Sequence, residues 1–166
     1  MRETVRVAKQ NGVRIGAHPA YPDLENFGRV SMALPQDVLA ASLASQIAAL
    51  AAIASEEGTS LAHLKPHGAL YNDAGKDAAL AALIVSVTQR AGISELIGPP
   101  HSELETAARA AGLTFIAEGF ADRSYESDGA LTPRKMPGAV LTDSGVIEAK
   151  ALVMARDGTV IARTGE

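Results

Sequence analysis

Apolar positions along this chain switch repeatedly between helical spacing and short continuous runs. Val5 and Ala8 share one side of a helix over the first dozen residues, and Asn11-Gly12 supplies a left-handed cap. The run Val13 to Ala17 predicts a strand, followed by a polar, proline-containing loop over 18–35. Pro35 then opens a long helix in which Leu39, Leu43, Ile47 and Leu50 recur at helical spacing, ended by Gly58. A second strand is expected over 60–64, stopped by Pro66, which has no N–H for a sheet ladder. A loop over 65–75, a helix over 76–91 capped by Gly92, and a strand over 93–97 come next. A helix from about His101 to Ala111, capped by Gly112, leads into a strand over 113–117.

Strand and helix alternate with the short connections of parallel βα units, so the expected fold is an α/β layer or barrel. Beyond Asp122 the pattern changes to an irregular loop over 124–138. Ala139-Val140-Leu141 follows, and then a hairpin-like end around Asp157-Gly158.

Composition narrows the class. With 166 residues, 47% of them hydrophobic, one domain with a real core is expected over 1–166. A net charge of -4, no basic run and few aromatics argue against a nucleic-acid partner. The apolar stretch 38–54 is interrupted by Ser42, Ser45 and Gln46, which reads as a helix with one buried face and not as a membrane span. No cysteine is present and the first residues form no apolar signal region, so a cytoplasmic protein is expected.

Candidate chemistry collects where strands end, which is where parallel α/β sheets bind ligands. His18 follows the first strand, Lys65 and His67 follow the second, and Glu118, Asp122 and Arg123 follow the last. Imidazole titrates near neutral pH, so His67 or His18 is the candidate general base or acid. Lys65 and Arg123 suit a carboxylate, a phosphate or a developing oxyanion, and Glu118 and Asp122 can orient a histidine or take a proton. The bland alternatives are a loop-pinning Asp122-Arg123 ion pair, Tyr71 as loop packing, and Asn72 as a turn former or the cap of helix 76–91. His63 reads as a packed core residue and His101 as a helix start at the surface. Gly75-Lys76 is followed by Asp77 where a phosphate-binding loop needs Ser or Thr, so no nucleotide site is legible. His18, His67, Glu118 and Asp122 are metal-ligand types, but their scatter assigns no metal.

Three blocks in order resemble the LamB/YcsF family. They are Gly16-Ala17-His18-Pro19 with Tyr21-Pro22-Asp23-Leu24 and Phe27-Gly28-Arg29; Lys65-Pro66-His67-Gly68-Ala69-Leu70-Tyr71-Asn72; and Glu118 to Arg123 with Tyr125, Asp128-Gly129 and Leu131. The resemblance implies part of a seven-stranded relative of the (β/α) barrel, of the glycoside hydrolase and sugar deacetylase type. It implies ATP-dependent opening of 5-oxoproline to glutamate, with ATP as co-substrate handled on companion B and C subunits. It also makes Tyr21, Arg29, Tyr71, Asn72 and Arg123 candidate substrate-binding residues beside the catalytic candidates His18, Lys65, His67, Glu118 and Asp122. The family pattern opens with an Asp-Leu-Asn-Cys-Asp strand and a His-Ala-Gly-Asp loop, and continues into a Cys-x-His-Gly-Asp segment. A chain truncated at both ends is therefore expected, with sheet edges open to companion subunits or a second copy. Two other readings compete: a metal-dependent amidohydrolase or deacetylase on a small C–N substrate, and a non-catalytic binding or assembly piece.

Overall fold

The computed structural model describes residues 1–165. They form two compact units, divided between Ala117 and Glu118.

The first unit runs α1 (Arg2–Gln10), β1 (Ile15–Ala17), α2 (Gln36–Glu56), β2 (Leu61–Leu64), α3 (Ala69–Ala74), α4 (Ala78–Arg90), β3 (Glu95–Gly98), α5 (Glu103–Ala110) and β4 (Thr114–Ala117). All four strands are parallel, in the order β1-β2-β3-β4. Parallel neighbours need a crossover, and helices between consecutive strands provide it. This is the α/β architecture with a parallel sheet that the alternating pattern predicts, and it is consistent with a layer or part of a barrel.

Register explains the core. Ala17, Leu64, Leu96 and Phe115 are partners in one row across the sheet, and all four are buried. Leu39, Leu43 and Ile47 of α2, Ile84 of α4 and Leu104 of α5 belong to the same cluster. The next row, Gly16, His63, Glu95 and Thr114, points to the opposite face. His63 is half-buried there, and a Cβ at Gly16 would run into its imidazole. The expected packing role of His63 is thus filled against a glycine backbone. Arg14 pairs with Glu95, which neutralises the carboxylate of that row.

By length and composition α2 could cross a membrane. In this fold its Leu39, Leu43, Ile47 and Ala54 lie in the interior while alanine and serine occupy much of the outer side.

Several boundaries differ from the pattern-based expectation. Strands are shorter, because each begins only where the ladder to its neighbour does. The loop expected over 65–75 contains α3, since Ala69, Leu70, Tyr71 and Ala74 are all buried at helical spacing. The helix expected from 76 starts at 78, because Asp77 is its N-cap and accepts from Ala79 and Leu80 N–H at 2.8 and 3.0 Å. Asn72 does not cap that helix; it lies within α3, donating to Gly68 O at 3.3 Å. His101 precedes α5 in a left-handed conformation, φ 56°, and Ser102 is the cap.

The second unit contains α6 (Ser144–Asp157) and isolated bridges Arg123 to Val140, Tyr125 to Leu131 and Tyr125 to Ala162. The hairpin expected around Asp157-Gly158 is a helix end. Asp143 caps α6 by accepting from Val146 N–H at 3.0 Å, and Gly158 closes it at φ 67°. Asp-Gly favours left-handed backbone in both settings, so the dipeptide alone cannot separate a turn from a C-cap.

Candidate active site

His18 is the first residue beyond β1, and Lys65, Pro66 and His67 follow β2, so the parallel pairing of these strands delivers both histidines to the same sheet end. Backbone bonds continue past the strands: Lys65 N–H donates to Ala17 O at 2.9 Å, His67 N–H to Pro19 O at 2.9 Å and Ala69 N–H to Gly28 O at 3.0 Å. The two loops are therefore registered to each other as strands are.

The imidazoles meet. His67 Nδ1 lies 3.0 Å from His18 Nε2, with the rings edge-on at 84°. His18 Nδ1 lies 2.7 Å from Lys65 O, and His67 Nε2 lies 3.0 Å from Phe27 O. The Phe27 ring packs edge-on against His67, with centroids 5.1 Å apart, and the Arg29 guanidinium lies 5.4 Å from the Phe27 ring centre. Lys65 Nζ lies 5.9 Å from the centre of the Tyr71 ring. The first unit thus gathers His18, His67, Lys65, Tyr71 and Arg29 around one end of the sheet, with cationic groups prominent among them.

A carboxylate that sequence reasoning passed over fixes this arrangement. Asp73, on α3, accepts from the Tyr21 hydroxyl at 3.0 Å and from Ser31 Oγ at 3.1 Å, tying both ends of the 18–35 loop to one helix. Burial, then the hydrogen bond to Asp73, pushes the Tyr21 phenol far above its ordinary value. Tyr21 acts here as an anchor of the loop. The signal in the sequence was faint, because Asp73 lies in a segment read as irregular. Asp23 shapes the same loop, its Oδ1 accepting from Asn26 N–H at 3.2 Å and Nδ2 at 3.0 Å.

In the second unit, Glu118 and Asp122 precede a buried arginine. Arg123 Nε donates to Ala139 O at 3.0 Å and an Nη to Thr132 O at 2.6 Å. Burial, with the charge of Arg134, holds its guanidinium below the ordinary value. Arg123 pins its loop, as the bland reading expected, but through carbonyls. Lys150 Nζ donates to Arg123 O at 2.8 Å, and burial pushes that amine down. Tyr125 Oη accepts from Phe120 N–H at 2.7 Å, fixing the turn that carries Asp122. Among the described residues, no group of three or more His, Asp or Glu is gathered closely enough to hold a metal ion.

Comparison with known proteins agrees with the order of these blocks. Residues 1–166 match the model of the LamB/YcsF family. The A subunit of a 5-oxoprolinase from Symbiobacterium thermophilum is 48% identical over all of this chain, which covers 64% of that protein. Its counterpart from Methylococcus capsulatus is 47% identical over 99% of this chain, again covering 64% of the relative. The crystal structure of a lactam utilization protein from Thermus thermophilus superposes with a TM-score of 0.88 at 41% identity, over 98% of this chain and 66% of that one. The chain therefore spans just under two thirds of the length of these relatives.

Proposed function

The chain belongs to the LamB/YcsF family, and from that premise we propose that it forms the central part of a 5-oxoprolinase A subunit, opening the lactam of 5-oxoproline to glutamate in the cytoplasm. The observation that carries this reading is the histidine pair held beside Lys65 at the end of the parallel sheet. A five-membered lactam is resonance-stabilised, so its hydrolysis calls for activation of the carbonyl oxygen and a proton for the departing nitrogen. Activation by ATP falls to companion B and C subunits in this reading, which accords with the lack of a phosphate-binding loop sequence in this chain. The His18 and His67 imidazoles serve the proton transfer, Lys65 and Arg29 serve the substrate carboxylate or the oxygen that gathers charge, and Tyr71 lines the approach. The four parallel strands then correspond to four staves of a seven-stranded barrel related to sugar deacetylases.

The test is conversion of 5-oxoproline to glutamate with ATP and the companion subunits, run with this chain and with a version extended to the length of the relatives. Turnover by both places the chemistry on the residues named here. Turnover by the extended version alone places essential groups in the added segments, and turnover by neither refutes the reading.

A further inference from the structure

Helices α1, α2, α4 and α5 of the first unit lie side by side in that order. The outer two are charged along their length: α1 carries Arg2, Glu3, Arg6 and Lys9, and α5 carries Glu103, Glu105 and Arg109. The inner two are not. No residue is charged from Val38 to Ser55 of α2, or from Ala78 to Gln89 of α4. Leu39, Leu43 and Ile47 pack into the core beside the sheet, yet only 22% of the apolar window of α2 is buried. A helix that faces water over most of its length normally carries charge on that side.

Between α2 and α4 the surface forms a groove of about 650 Å³. Ala44, Ala48 and Ala51 of α2 and Val87 of α4 line it, and its charged groups are Asp37 and Arg90. Alanine at these positions lets a second helix approach closely. Both helices return from the end of one parallel strand to the start of the next, so they run the same way. Asp37, in the first turn of α2, and Arg90, in the last turn of α4, therefore stand at opposite ends of the groove. Ala51, toward the basic end, lies about 21 Å along α2 from Asp37. Neither charge makes an ion pair among the described residues, and Arg90 Nε donates to Ser86 O of its own helix at 3.3 Å.

We infer that a second copy of this chain docks in the groove, forming an antiparallel twofold dimer that lays α2 on the partner's α2. A twofold axis lying in the interface and across the groove reverses its direction. The acidic end of each copy then meets the basic end of the other, so Asp37 faces the partner's Arg90 twice over. A parallel arrangement sets like ends together and pairs neither charge. Antiparallel α2 helices also oppose their dipoles favourably. A bilayer surface is a poorer occupant, because helices that lie on membranes carry Lys and Arg on their polar face, and α2 has none. The dimer stands on this surface alone, whatever reaction the sheet end carries out.

The experiment is sedimentation equilibrium of this chain and of the version extended to the length of the relatives, with far-UV circular dichroism to show that each variant folds. A monomer–dimer equilibrium is expected in both. Ala48→Glu puts a carboxylate in the apolar surface at a position exposed in the single copy, and should raise the dimer dissociation constant by roughly 10²-fold or more. Asp37→Arg and Arg90→Glu should each weaken the dimer roughly tenfold by setting like charges together, and the double variant should return to within a few fold of the parent. A parent chain that stays monomeric to about 1 mM, a dimer indifferent to Ala48→Glu, or a double variant no tighter than either single one would overturn the inference. So would a dimer of this chain that the extended version loses, because the added segments would then occupy the groove.

Discussion

Replacing Gly68 by alanine probes the joint that sets the two histidine loops against each other. Gly68 has φ 62° and ψ -126°, a backbone region open to glycine and costly to residues with a Cβ. A Cβ there would be driven into the Gly28 carbonyl oxygen and lie 3.1 Å from Gly28 C and 3.5 Å from Arg29 Cα. These are backbone atoms, which no side-chain rotation can clear. Backbone strain contributes about 1–3 kcal/mol and the overpacking about 1–3 kcal/mol, so the expected loss is about 2–6 kcal/mol. That is a large share of the roughly 5–15 kcal/mol that holds an ordinary domain together. Gly112→Ala is the control: its φ is 76°, yet nothing lies within 4 Å of the added Cβ, so only the left-handed penalty of about 1–2 kcal/mol applies. Urea unfolding followed by far-UV circular dichroism separates the two, because about 4 kcal/mol moves the midpoint by roughly 2 M at a slope near 2 kcal/mol/M. A Gly68→Ala protein no less stable than Gly112→Ala would refute the close approach of the two loops.

Other outcomes follow from single contacts. Tyr21→Phe removes the hydroxyl that reaches Asp73 and should cost about 1 kcal/mol, with faster amide exchange across the 18–35 loop. In the parent chain the raised Tyr21 phenol contributes stability that is fully present below the ordinary tyrosine value of about 10 and is lost as pH rises above it. Thermal midpoints measured between pH 8 and 11 should fall more steeply in the parent than in Tyr21→Phe. Asp77→Ala deletes the cap of α4 and should cost about 1 kcal/mol; a melting temperature equal to the parent's would contradict the capping geometry. Arg123→Met leaves the Thr132 carbonyl without its donor and the Ala139 carbonyl with Ser124 N–H alone, so protease cleavage within 124–140 should accelerate severalfold while cleavage in the first unit does not change.

The order of elements was readable because each left a local mark. Helical spacing in α2 and the glycines at 12, 58, 92 and 112, all at positive φ, announced where helices stop. The parallel pairing then followed from alternation alone. Contacts that depend on distant residues left no such mark. Nothing local says that His18 and His67 touch, since they stand 49 positions apart until β1 and β2 pair. Asp73 was missed for the same reason, its partners Tyr21 and Ser31 coming from an earlier loop. At Asp157-Gly158 the two-residue signal hid the 14-residue helix, Ser144–Asp157, that it ends. Those residues alternate apolar and polar types too weakly to declare a helix, and α6 has no buried residue.

The backbone hydrogen bonds that join the two histidine loops run in one direction. Residues 65, 67 and 69 supply every N–H, and residues 17, 19 and 28 supply every carbonyl. Proline lacks only the N–H, so Pro19 serves this ladder as well as any residue, and Pro66 falls between two donors where its own nitrogen is not required. The same rule forbids proline at Lys65, His67 and Ala69. Over these loops proline is accommodated at 19 and 66 at no cost in hydrogen bonds between them, while the positive φ of Phe27, Gly28 and Gly68 bars it there.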